Sequence, residues 1–183
     1  MIYSFSLQAV ALAVGALWIV LHLPAALAPD RAAAFLVRFP RSRPLGVLLM
    51  GLVTIWGLWL GATVDLGDFT PMRPAILWVT LILGVFMTAY SQEFLAVRGL
   101  AALLLLGANV LLDACFLRDE PSKLVLVSFA YVWIVAGLAL LFSPYLMRDL
   151  AGTLQKNPRR LRLAAWAGAA FGAVLLLLGW LAY

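Results

Sequence analysis

The chain alternates long apolar runs with short polar turns. The runs cover approximately 4–27, 45–64, 74–91, 94–117, 124–142 and 163–183. Each is close to the ~20 residues a helix needs to cross a hydrocarbon core. None alternates with period two, and all are too long to be barrel strands. The pattern predicts an all-α polytopic membrane bundle of about six transmembrane helices, forming a single integral domain over 1–183.

Two stretches, 23–60 and 138–178, share one design: apolar span, proline, short amphipathic stretch, basic turn, apolar span. The first passes through Pro29 and Phe39-Pro40-Arg41-Ser42-Arg43, the second through Pro144 and Asn157-Pro158-Arg159-Arg160-Leu161-Arg162. At about 100° per residue, Ala32, Phe35, Leu36 and Phe39 share a helical face, as do Leu146, Met147, Leu150 and Leu154. Short helices lying in the headgroup plane are expected at both places, ended by Pro40 and Pro158 because the residue before a proline is pushed out of helical geometry. The recurrence predicts a parallel internal repeat of the first and third hairpins. Corresponding spans carry Gly57 and Gly61, and Gly168 and Gly172, in the G-x-x-x-G spacing that lets membrane helices approach closely.

Composition agrees with a lipid-facing surface. Of the 183 residues, 66% are hydrophobic and 11% charged, with a mean hydropathy of +1.06, whereas soluble domains run nearer 45–50% apolar and about 25% charged. The net charge of +5 raises nucleic acid as a partner, but the basic residues cluster at span ends, where they read as a topology signal, and no nucleic-acid binding is expected. Arg31, Arg38, Arg41 and Arg43 follow the first span, and Arg148, Lys156, Arg159, Arg160 and Arg162 follow the fifth. These connections should be cytoplasmic, with Arg98 in the remaining inner turn. The chain then forms three out-in-out hairpins in the cytoplasmic membrane, with both termini outside. The arginines Arg31, Arg38, Arg41, Arg43, Arg159, Arg160 and Arg162 are candidate contacts for anionic headgroups or a protein partner. Ala26-Leu27-Ala28 resembles a signal-peptide cleavage site, but no Lys or Arg precedes the first apolar run, so it is read as a retained span.

Buried chemistry is concentrated in the fourth span. Arg98, Asn109 and Asp113 fall within about 60° of one another around that helix. Asn109 should lie near mid-membrane and Asp113 in the outer half, four residues apart and within hydrogen-bonding reach. A polar group at such depth is a functional candidate, and the pair is a candidate intramembrane site for a proton, cation or polar headgroup. The competing reading makes Asp113 a partner of Arg118 or Lys123 and Asn109 a bond between helices. Ser91-Gln92-Glu93 reads as a helix start, with the carboxylate near the positive dipole end.

His22 is the single histidine and cannot alone supply a bis-histidine haem; Cys115, the single cysteine, excludes an internal disulfide. Asp65 and Asp68 supply too few oxygens for calcium. No metal, cofactor or catalytic set is expected, and no phosphate loop, nucleophile elbow or zinc motif occurs.

Three functions are compatible with this pattern. The first is a non-catalytic accessory or assembly subunit, whose partners are the bilayer and a larger membrane complex or copies of itself. The second is a small-solute or proton-coupled ion carrier or channel, built from several copies around the polar face of the fourth span. The third is a membrane enzyme acting on lipid, with Glu93, Asp113 and His22 as its only acid–base groups. Cysteine labelling in intact cells should find Arg41→Cys and Arg160→Cys shielded in the cytoplasm and both termini accessible from outside. Termini on opposite faces would mean that the spans are miscounted.

Overall fold

The structure, a computed structural model, describes Tyr3, residues 5–91 and residues 93–182. Met1, Ser4, Gln92 and Tyr183, on which parts of the sequence reading fall, lie outside the described residues. Regular structure among the described residues is helical throughout: α1 (Leu7–Leu27), α2 (Pro29–Arg38), α3 (Arg43–Thr63), α4 (Arg73–Tyr90), α5 (Leu95–Cys115), α6 (Lys123–Phe142), α7 (Tyr145–Lys156) and α8 (Pro158–Leu181). Two 3-10 turns, Phe39–Arg41 and Gly67–Met72, precede α3 and α4. Helices α1, α3, α4, α5, α6 and α8 are long and apolar enough to cross a bilayer, which makes this a multi-pass membrane protein.

Local sequence explains the helix boundaries. Pro29, Pro44, Pro74 and Pro158 occupy the first turns of α2, α3, α4 and α8, where a missing N–H costs nothing and the fixed φ suits a helix. Ser6 caps α1 by accepting from the Ala9 N–H at 3.1 Å. The prolines therefore start helices as well as end them. As a result Arg159, Arg160 and Arg162 lie in the opening turns of α8 rather than in a loose turn, and the last helix begins five residues before the apolar run at 163. Helix α5, in contrast, begins after Glu93, because Phe94 holds the left-handed φ of 58°, a conformation uncommon for bulky residues.

Two ends of the bundle can be distinguished. The elbow end carries α2 and α7; the far end carries the α3–α4 and α5–α6 turns. Helix α2 is about 15 Å long and α7 about 18 Å at 1.5 Å per residue, while packed helices sit 8–10 Å apart. An elbow of that length oversteps an immediate neighbour. Accordingly, α1 and α3 both pack on α5, which stands between them. Helix α1 in turn packs extensively on α8 and meets α6 through Trp18, whose ring centroid lies 4.9 Å from Phe129 and 5.9 Å from Trp133. The spans joined by far-end turns, α3 with α4 and α5 with α6, are packed together, whereas α1 and α3 are separated and α6 and α8 meet through the rings of Phe129 and Phe171, 4.9 Å apart. The six long helices are present, but the pairs expected as hairpins are not the main packing units.

The main core lies between α1, α5, α6 and α8 and is apolar, with Ala11, Ala108, Leu111, Leu126, Ala130 and Leu175 buried. Helices α1 and α8 cross at glycines: a Cβ on Gly172 would lie 2.8 Å from Ile19 Cγ1 and 2.9 Å from the Gly15 carbonyl. Lipid tails are as apolar as leucine, so close van der Waals packing of this kind must supply much of the attraction between the helices. Helix α4 sits at the periphery, with no buried residue, against α3. There the two helices exchange small residues reciprocally, Thr54 against Gly84 and Thr80 against Gly57, with Gly61 facing Leu77.

The crossing is directly testable. Gly172→Ala should cost about 1–3 kcal/mol through overpacking, measured by denaturation in micelles. Gly51→Ala, where an added Cβ meets nothing within 4 Å, should be neutral or stabilising by up to ~1 kcal/mol. Equal effects at the two sites would show that the α1–α8 crossing is not under steric constraint.

Candidate functional site

At the far end of the bundle the polar groups bind one another. The backbone N–H of Tyr3 donates to Asp113 Oδ2 at 2.7 Å, and the Tyr3 hydroxyl accepts from Trp56 Nε1 at 2.8 Å. Tyr3 is buried, its ring 5.5 Å from that of Trp59 and 6.4 Å from that of Trp56. Tyr3, four residues ahead of α1, thereby ties α3 to α5. Burial pushes the Tyr3 phenol above its ordinary range, with the Asp113 charge adding to the rise and the Trp56 bond opposing it.

Basic residues at the far end are engaged with helix C-termini. Arg73 donates to the carbonyls of Ala62 and Val64 at 2.6 and 2.7 Å, closing the end of α3. Lys123 donates to the Arg118 carbonyl just beyond α5. Cations are favoured where the last carbonyls of a helix lack partners, which Arg73 answers at the end of α3, while Lys123 fastens the α5–α6 turn. In the turn between α3 and α4, Asp65 Oδ1 accepts from the Gly67 N–H at 3.0 Å, and Gly67 has a φ of +50°. That arrangement is a side-chain-stabilised turn.

The two residues expected to form an intramembrane site are placed differently from each other. Asp113 turns toward Tyr3, while Asn109, one turn nearer mid-span, is exposed on the outside of the bundle and makes no hydrogen bond among the described residues. Below Asn109, toward the elbow end, is a lateral cleft of about 370 Å³ between α3, α4 and α5, lined by Thr54, Thr80, Ala102 and Leu105 among others. Its two threonine hydroxyls donate to carbonyls of their own helices, Met50 and Ile76, both at 2.8 Å. The cleft therefore presents a largely apolar wall.

His22 packs against α8. Its Nδ1 lies 2.8 Å from the Trp18 carbonyl; since a carbonyl only accepts, Nδ1 carries the proton and Nε2 is left as the acceptor. A Cβ on Gly168 would come within 2.6 Å of Nε2, so the imidazole fills the space this glycine leaves. The G-x-x-x-G spacing in α8 thus receives His22 and Trp18's neighbour Ile19 from α1, a pairing that spacing within one helix could not specify. Among the described residues no cluster of three His, Cys, Asp or Glu side chains is placed to hold a metal.

At the elbow end, Arg31, Arg38, Arg41, Arg43, Arg159, Arg160 and Arg162 are all exposed. The ion pair formed among the described residues is Arg148 with Asp149, at 2.9 Å on the surface. Arg98 donates to Ser91 Oγ at 2.7 Å and fastens the turn between α4 and α5. Phe39 is buried against Ala96 and Val97 of α5, anchoring the first elbow.

No family model, curated protein sequence or solved structure matches this chain significantly.

The Tyr3 junction predicts two effects. Tyr3→Phe should lower stability by about 0.5–1.5 kcal/mol, because Trp56 loses its acceptor. A group with a raised folded pKa is protonated more readily in the folded state. The stability it contributes should be full below pH ~10 and be lost as pH rises through the raised value. Alkaline tyrosinate absorbance, taken as the difference between wild type and Tyr3→Phe, measures this; ionisation of Tyr3 below pH ~10 would contradict it.

Proposed function

We propose that this protein is a non-catalytic accessory or assembly subunit of the cytoplasmic membrane. The observation that carries the reading is how its polar groups are used. Asp113 and Trp56 bind Tyr3; Arg73 closes the end of α3; Lys123 fastens the α5–α6 turn; His22 binds Trp18; Thr54, Thr80 and Thr88 bind their own helices. Polar side chains in membrane helices most often signal function because unpaired they are costly. Here those side chains are engaged within the chain, between helices at Tyr3 and within single helices or turns elsewhere, which supports a scaffold.

The exposed arginines on α2, α8 and the intervening turns support an orientation with the elbow end in the cytoplasm, following the rule that basic turns stay inside. There α2 and α7, as amphipathic helices at the interface, would offer a basic surface to anionic headgroups or to a soluble face of the assembly. The recurrence of span, short helix and span supports an origin by internal duplication of 23–60 and 138–178.

A carrier is the second reading, favoured by the cleft beneath Asn109. Asp113→Asn separates the two. For a scaffold it should leave insertion and assembly intact and change stability by about 1 kcal/mol, the scale of one interhelical hydrogen bond. For a proton carrier it should abolish proton flux into vesicles containing a pH-sensitive dye. Flux in the wild type that is lost in this variant would overturn the scaffold reading.

A further inference from the structure

We infer that the lateral cleft between α3, α4 and α5 is a lipid site: it holds one acyl chain of an anionic glycerophospholipid from the leaflet at the elbow end, with the lipid phosphate at Arg43 and Arg98. The inference goes beyond the subunit reading and does not depend on it.

Packing opens the cleft, and its size selects the occupant. Helix α4 packs on α3 and makes little contact with α5, so a gap is left between α4 and α5. The lining runs from Met50 to Gly57 on α3 and from Thr80 to Met87 on α4, about 10 Å along the helices at 1.5 Å per residue. A volume of about 370 Å³ over that length gives a mean cross-section of roughly 35 Å², against roughly 80–110 Å² for a helix 10–12 Å in diameter. The space suits a single extended hydrocarbon chain and is too narrow for a partner helix.

The walls favour the same occupant. No titratable side chain lines the cleft, and the hydroxyls of Thr54 and Thr80 are spent on their own helices. A polar solute would give up its bonds to water there and gain none in return. An acyl chain loses no hydrogen bond and gains dispersion contact along its length, with the flexible thioethers of Met50 and Met87 able to follow its shape.

A basic rim lies at one end. Around α3, Arg43, Met50, Thr54 and Gly57 fall within about 60° of one another, and around α5 so do Arg98, Ala102 and Leu105. A Cβ on Gly46 would lie 2.9 Å from the Ala96 nitrogen, so the opening turns of α3 and α5 touch and both arginines stand at the elbow end. Arg43 is exposed, and Arg98 donates to the Ser91 hydroxyl just past α4 at 2.7 Å. That bond sets the guanidinium across the α4–α5 gap. A guanidinium has five N–H donors, which leaves donors for phosphate oxygens. Arg98 is about 6 Å of helix rise beyond Ala102, as a glycerol unit separates a phosphate from its acyl chains. Glu93, exposed beside the start of α5, is the carboxylate on this turn and forms no ion pair among the described residues. Two arginines against one carboxylate favour a headgroup of net negative charge.

The test uses the full chain reconstituted in vesicles of equal parts phosphatidylglycerol and phosphatidylcholine, extracted in mild detergent and weighed with its bound lipid by native mass spectrometry. One phosphatidylglycerol per chain should be retained, in preference to phosphatidylcholine by about 3- to 10-fold. The preference should fall to near unity in Arg43→Gln/Arg98→Gln. Ala102→Trp, which fills the cleft, should release the lipid, whereas Leu177→Trp, exposed on α8, should keep it. A second measurement on the unaltered chain covers misfolding of these variants: phosphatidylglycerol carrying a photoreactive group on its acyl chain should label Leu83, Met87 or Leu105 in preference to Leu177. Equal retention of the two lipids by the wild-type chain, or labelling spread evenly over the lipid-facing residues, overturns the inference.

Discussion

A helical elbow is longer than the distance between packed helices, and this mismatch shapes the bundle. Ten residues of helix span about 15 Å, against 8–10 Å between neighbouring axes. The chain that turns through α2 therefore reappears one helix further on, while across α7 the spans α6 and α8 touch through Phe129 and Phe171. Helix α5 fills the place between α1 and α3, and α1 stands against both α6 and α8. Segments distant in sequence become neighbours, and the first long helix packs on the last. The glycine crossing of Gly15 and Gly172 then draws that pair close enough for backbone atoms to meet.

Within the bilayer, association cannot rely on expelling water, so it depends on packing and on a few polar bonds. The distribution of those bonds follows the packing. Where helices fit by shape, at the apolar centre of α1, α5, α6 and α8, no polar side chain is buried among the described residues. At the far end Tyr3 enters between α3 and α5 and supplies both a ring and two hydrogen bonds. Asn109 differs from these groups, since it is exposed within the span and makes no hydrogen bond among the described residues.

Much of the fold was legible in the sequence because hydrophobic length is a local property. Six spans and the basic elbows follow from consecutive residues, and helix boundaries deviated where a second local signal intervened, as with Pro158 opening α8 or Phe94 delaying α5. The pairing of Asn109 with Asp113 was inferred from one helix alone. Their shared flank is real, but it spans enough arc for one side chain to reach an adjoining segment while the other looks outward.

By itself, the sequence determined that this chain crosses a membrane about six times, which residues could face lipid, and that no familiar catalytic or metal-binding motif is encoded. Tertiary structure decided which helices are neighbours, because elbow length and glycine contacts act between segments more than a hundred residues apart, as Gly15 and Gly172 do. It also decided the partners of Asp113, His22 and Arg73, since hydrogen bonds form by proximity in space, and the periodicity of a single helix carries no information about what stands opposite it.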